Sequence, residues 1–125
     1  MKFSKRTQYG LTAMVHLAKS KKIVSIRQIS NTERVPFAFL NQIFSLLEKA
    51  GLIKGKHGAN GGYFLVKSPN KISVLDIVAT LEDINTVKCD FCPKFKKCLT
   101  KGVWGKVDES VEKTLRSIKL SSLTK

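Results

Sequence analysis

Cys89, Cys92 and Cys98 lie within a single ten-residue stretch, and the rest of the 125-residue chain has no other cysteine. Their spacing, C-x2-C-x5-C, suits soft-ligand chemistry. Clustered thiolates hold zinc or iron–sulfur clusters, and cluster-free they can act as redox thiols. An odd number of cysteines cannot pair completely into disulfides within one chain, and clustering in an intracellular protein favours metal or redox chemistry. Lys88, Lys94, Lys96, Lys97 and Lys101 surround the cysteines. These cations favour thiolate over thiol. Three thiolates leave one position of a four-ligand site open. Asp90, the Lys101 region, a residue of another chain or solvent could fill it; His16 and His57 are remote in sequence.

The elements that must position this cluster belong to a strongly basic chain. Its 23 Lys+Arg against 9 Asp+Glu give a net charge of +14. Such an excess calls for a polyanionic partner. Residues 1–60 hold 11 Lys+Arg against 2 Asp+Glu, a net of +9, and residues 61–125 hold 12 against 7, a net of +5. The 42% apolar content excludes general disorder. No apolar run reaches the ~18 residues of a membrane span. The start, Met1–Gln8, is basic but is not followed by a signal-peptide core. A cytoplasmic protein with no membrane partner is expected.

Along residues 5–19, Leu11, Met14, Val15, Leu17 and Ala18 recur at helical spacing. Ile23 and Val24 suggest a short extended piece. Ser25 and Gln28 form a capping box that opens a short helix, and Asn31–Arg34 shows no apolar period. Pro36 suits the first turn of the next helix. There Phe39, Leu40, Ile43, Leu46, Leu47 and Ala50 line one face, Asn41, Gln42, Ser45 and Lys49 fall elsewhere, and Gly51 is a ready terminator. Two helices separated by about five residues have the shape of a helix-turn-helix. Strands are expected at 52–56 and 62–66, joined by His57-Gly58-Ala59-Asn60-Gly61, whose Asn-Gly pair suits positive φ. A hairpin directly after a helix-turn-helix is a wing, with Lys54, Lys56 and His57 near its tip. Ser73–Asp76 opens another capped helix with Leu75, Val78, Ala79 and Leu81 inward. From residue 103 a stripe of Trp104, Val107, Val111, Leu115 and Ile118 runs along a helix of about sixteen residues. A dimer interface, or packing back on the first helix, would bury that stripe.

The chain resembles the Rrf2 family of bacterial transcription regulators over essentially its whole length. Similar stretches are Met1–Ser4, Tyr9–Met14, Leu40–Phe44, Leu47–Ile53 and Ile72–Val78, then Cys98–Trp104. The most specific is the Gly-rich wing, Gly58–Leu65. The resemblance implies a homodimer with an iron–sulfur cluster, [2Fe-2S] or [4Fe-4S], in each cysteine loop. It places Phe37, Ala38, Asn41 and Gln42 in the major groove of operator DNA and His57–Asn60 at the minor groove. The chain departs from the family in four places. The first cysteine gap is short. Lys101 stands where one iron–sulfur branch has a histidine. Gln8 stands where another branch uses an acidic ligand from the partner chain. His57 stands where arginine is common.

The expected fold is mainly α with a small β-hairpin, a winged helix-turn-helix followed by a long C-terminal dimerisation helix. The expected divisions are a DNA-binding domain over 1–82, a cysteine-containing cluster loop over 83–102, and a dimerisation helix and tail over 103–125. Asn41 and Gln42 carry amides that pair bidentately with adenine. Lys2, Lys5, Arg6, Arg27, Arg34, Lys54 and Lys56 are candidate phosphate contacts, which set affinity rather than sequence. The expected function is a DNA-binding regulator that senses iron–sulfur status, redox state or nitric oxide through Cys89, Cys92 and Cys98. A cluster-free thiol- or zinc-based regulator on the same scaffold is the alternative, and a small iron–sulfur electron carrier a third reading. No catalytic nucleophile and base appear, so neither an enzyme nor a small-molecule substrate is expected.

Overall fold

The structure is a computed structural model that describes residues 3–83 and 100–124. The first helix, α1 (Lys5–Ser20), begins where Ser4 accepts the Thr7 N–H and ends at Lys21 in the left-handed conformation. It buries Gly10, Ala13, Met14, Leu17 and Ala18, while Leu11 and Val15 are half-buried.

α2 (Ile26–Glu33) starts on the expected capping box: Ser25 accepts from the Gln28 N–H and the Gln28 side chain accepts from the Ser25 N–H. The helix runs on through Asn31–Glu33, where no apolar period marks it. Asn31 and Thr32 are exposed, and the half-buried Glu33 carboxylate meets His16 of α1 at 2.8 Å, tying the last turn to α1. The turn before α3 (Phe37–Lys49) therefore contains Arg34, Val35 and Pro36 alone. It is shorter than the roughly five-residue gap that apolar spacing suggests. Pro36 is the residue before the first helical one, one position earlier than expected. Ser30 closes the turn by donating its hydroxyl to the Val35 carbonyl at 2.6 Å.

On α3 the buried residues are Leu40, Ile43, Phe44 and Leu47. Phe44 is buried from outside the expected face, and Ala50 is exposed. α3 ends as expected at Gly51, with φ +80°, a value glycine tolerates without a Cβ clash. The Leu52 N–H reaches the Leu47 carbonyl and the Gly51 N–H the Glu48 carbonyl, the paired bonds of a Schellman stop.

Strands β1 (Ile53–Lys56) and β2 (Gly62–Leu65) pair antiparallel, with Ile53 opposite Leu65 and Lys56 opposite Gly62. Val24 supplies the expected extended piece as a one-residue bridge to Tyr63, exchanging hydrogen bonds of 3.0 and 2.8 Å. In the wing turn the positive φ falls on Gly58 and not on the Asn60-Gly61 pair.

After a 3₁₀ turn (Pro69–Lys71), α4 (Val74–Leu81) opens on the Ser73–Asp76 capping box. It buries Val74, Leu75, Ile77, Val78 and Leu81. Ile77 takes the inward place expected of Ala79, which is exposed. A helix of eight residues enclosed on several sides has no single apolar stripe to read.

α5 (Lys101–Ser117) stops one residue short of Ile118, which is extended and caps the helix. The chain then turns back. The Val74 N–H donates to the Ile118 carbonyl and the Leu120 N–H to the Ile72 carbonyl, both at 2.8 Å. Leu120, in a 3₁₀ turn (Leu120–Thr124), enters the common core with Met14, Ile29, Ile43 and Ile77. No helix among the described residues is long and apolar enough to cross a membrane.

Candidate nucleic-acid interface

α3 presents opposite chemistries on its two sides. Ile43, Phe44 and Leu47 fix it to the core, and Ala38, Asn41, Gln42, Ser45 and Lys49 stand exposed. At its first residue Phe37 is 37% exposed, and the Arg27 guanidinium of α2 lies 4.5 Å above its ring centroid. Stacking of this kind holds an arginine extended while leaving its N–H edge free to donate. α2 thus contributes an exposed cation at the start of α3, whose Asn41 and Gln42 amides are also exposed.

The wing is tied to α3 at its base. Tyr63 meets Phe44 edge-to-face, with centroids 5.0 Å apart. Glu48 of α3 accepts the Gly55 N–H of β1 at 3.1 Å. Burial, and secondarily the Glu48 charge, raise the Tyr63 phenol above its ordinary range, so it stays neutral. Beyond this anchored base Lys54, Lys56, His57 and Asn60 are all exposed.

The acidic side chains of residues 1–60 are Glu33 and Glu48. Glu33 is engaged with His16 and Glu48 with the wing backbone. Apart from the engaged Glu48, the exposed ionisable and amide side chains of α3 and the wing are lysines, Asn41, Gln42, Asn60 and His57, with Arg27 of α2 beside Phe37. That combination fits a phosphate backbone and base edges.

Other expected site residues fall elsewhere. Arg6 donates through Nε and Nη2 to the Leu81 carbonyl at 3.2 and 3.0 Å. Two of its donors are thus engaged within the chain, while the side chain remains exposed. Arg34 sits in the left-handed conformation (φ 57°) at the end of α2. Gln8 is exposed and donates to the Phe3 carbonyl at 2.9 Å. Lys2, Cys89, Asp90, Cys92 and Cys98 lie outside the described residues. Among the described residues no group of three or more His, Cys, Asp or Glu is placed to hold a metal ion. On α5, Trp104 is 40% exposed, and Val107, Val111 and Leu115 are half-buried, as is Ile118 beyond the helix end.

A three-helix core with a reading helix and a two-stranded wing defines a winged helix-turn-helix DNA-binding protein. The sequence profile of the Rrf2 family, described as "Iron-dependent Transcriptional regulator", matches residues 3–125. The chain belongs to the Rrf2 family. It is 32% identical to the protein rrf2 of Nitratidesulfovibrio vulgaris, the match covering 98% of this chain and 87% of that protein. Among solved structures it is similar to the IscR of T. potens, with a TM-score of 0.79 and 38% identity over 97% of this chain and 84% of the other. It is also similar to CymR (YrzC), the global cysteine regulator of B. subtilis, with a TM-score of 0.82 and 33% identity over 99% and 96%. These relatives are transcription regulators and not enzymes, and this chain is likewise an Rrf2-type transcription regulator.

Proposed function

We propose that this regulator is a cytoplasmic homodimer that binds operator DNA and changes that binding with the chemical state of Cys89, Cys92 and Cys98. The observation that carries the DNA half of this reading is the exposed row of Arg27, Phe37, Ala38, Asn41 and Gln42 beside the anchored wing. Asn41 and Gln42 read base edges in the major groove, and Arg27, Lys54 and Lys56 hold phosphates. Lys2 joins those phosphate contacts. His57 and Asn60 approach the minor groove. Two copies present two reading helices, and their separation sets the half-site spacing. Trp104, Val107, Val111 and Leu115, continued by Ile118, form the surface through which the copies meet. Sealing it removes apolar area from water.

The three cysteines have the donor chemistry for an iron–sulfur cluster, [2Fe-2S] or [4Fe-4S], with Gln8 of the partner subunit or the Lys101 region as fourth ligand. When bound, such a cluster supplies sensitivity to electrons, oxygen and nitric oxide. This chain's lysines near the cysteines favour the thiolate state that ligation requires. The likeness to the CymR of Staphylococcus aureus, solved in an oxidized form, supports a second reading in which the same cysteines act without a cluster, as thiols or as zinc ligands.

Anaerobic iron, zinc and sulfide analysis with visible spectroscopy separates these readings. A brown protein with iron and acid-labile sulfide is expected. A colourless protein with stoichiometric zinc, or with no metal and titratable thiols, would replace the cluster by the second reading. Retention of selected genomic fragments that weakens steeply with salt tests the DNA half. Salt-independent or absent retention would contradict it.

A further inference from the structure

α1 has no acidic residue in its first turn, although helix N-termini favour a negative charge. Glu82, just past the end of α4, supplies one through space. Its Oε2 accepts the Ser4 N–H at 2.7 Å and the Thr7 hydroxyl at 2.8 Å. One residue earlier, the Leu81 carbonyl, an acceptor that a helix C-terminus leaves without an intrahelical partner, takes the two Arg6 donors. The Leu81 side chain is buried in a notch at Gly10, where an added Cβ would collide with Leu81 Cδ1 and lie 3.4 Å from Ile43 Cγ2. Ile43 is the inward neighbour of Gln42 on α3. Arg6 itself lines a small cleft with Gln42, Ser45 and Leu46. The end of α4 is thus clasped to α1 by four hydrogen bonds and abuts the reading helix from behind. The stretch bearing Cys89, Cys92 and Cys98 follows a few residues later.

We propose that the clasp of Ser4, Arg6 and Thr7 on Leu81 and Glu82 is the mechanical link by which the cysteine stretch sets the placement of α3. This inference rests on the sensor reading given above. A pull on the chain after Glu82 is either transmitted to α1 through the clasp or breaks it. In both cases Leu81 shifts in the Gly10 notch. Leu81 and Ile43 both border the Gly10 position, and a close-packed interior passes a shift of one to its neighbours, so α3 responds. Arg6 and Glu82 are positioning residues here: they hold α4 against α1 and leave the exposed amides of α3 to read DNA. Glu82 is held below the usual carboxylate range chiefly by the Ser4 N–H, then by the Thr7 hydroxyl and Arg6, and it remains charged at neutral pH.

The test compares operator affinity in two states, anaerobic as purified and after exposure to nitric oxide or peroxide, for wild type, Glu82→Ala, Glu82→Gln and a Cys89/Cys92/Cys98→Ala variant. Wild type should differ between states by about tenfold or more. Glu82→Ala should keep its helical signal and cooperative melting, while the ratio between states falls to about threefold or less. Glu82→Gln, which retains an acceptor oxygen without the charge, should fall between the two. An unchanged ratio in Glu82→Ala would overturn the link, including the case where both affinities drop in parallel, because a merely structural role lowers both alike. Should Glu82→Ala not fold, an unchanged ratio in Glu82→Gln overturns it equally. A wild type with no response, or a cysteine-free variant that keeps it, would instead overturn the sensor reading and the link with it.

Discussion

The winged helix-turn-helix and the C-terminal helix α5 both carry apolar residues at helical spacing, yet the two regions bury them very differently. In α1–α4, Met14, Ile29, Leu40, Phe44, Leu47 and Ile77 are fully buried in one core. In α5 no described residue is buried; Trp104 is 40% and Val103 54% exposed. The first region is stabilised by its own interior and can hold a reading helix rigidly. The second carries a stripe that the described residues cover only in part, with Val107, Val111 and Leu115 half-buried and Trp104 exposed. The core also reaches past α5 to recover the tail, since Leu120 is buried and bonded to Ile72. The C-terminal end of α5 is thereby tied to the DNA-binding unit, while Trp104 near its start stays exposed.

Parallel truncations break or sharpen this contrast. The largest effect is expected for Phe44→Ala, which empties a fully buried site and should cost about 3–5 kcal/mol in chemical denaturation. Trp104→Ala should barely change the stability of the dilute monomer but should shift the dimer to monomer in sedimentation. If Trp104→Ala unfolded the monomer as severely as Phe44→Ala does, α5 would be core and the contrast would fail.

Next, Asn41→Ala should weaken operator binding by about 1–3 kcal/mol and relax sequence preference, measured by titration against operator variants. An equal loss on every sequence would assign Asn41 to the backbone. Gly10→Ala forces a Cβ into Leu81 and should cost about 1–3 kcal/mol of stability through overpacking, in part offset by the better helix propensity of alanine. Lys54→Ala should reduce the salt slope of binding by about one and affect all sequences alike.

The smallest effect concerns Glu82. Its carboxyl is lowered in the folded state, so its contribution is present above the unfolded value of about 4.3 and is lost as pH falls through the folded one. The melting difference between wild type and Glu82→Gln should be modest at pH 7 and should close as the pH drops below about 4. A gap that widened on acidification would contradict the clasp.

Much of the DNA-binding unit is legible in the residues because its signals are local. Ser25 with Gln28 and Ser73 with Asp76 open helices three residues away, Gly51 closes one, and a Gly-rich turn joins two short strands. The exposed amides of α3 follow from the same periodicity. Features set by distant residues are not legible that way. Phe44 is inward because Tyr63 of the wing covers it, and Glu33 extends α2 because His16 waits on α1. Nothing in the residues around Arg6 signals its bonds to the Leu81 carbonyl, 75 residues on. Ile118 fits the stripe by spacing, but the backbone turns extended there to join Val74. Periodicity carries no information about such partners.

The most direct test of the central claim, a DNA-reading unit governed by Cys89, Cys92 and Cys98, is one anaerobic titration. Wild type and the variant with all three cysteines changed to alanine are each titrated against a selected operator, before and after nitric oxide or peroxide. The account predicts that wild-type affinity changes by about tenfold or more and that the variant binds with one affinity throughout. Identical wild-type affinities in both states, or an undiminished response in the variant, would contradict it.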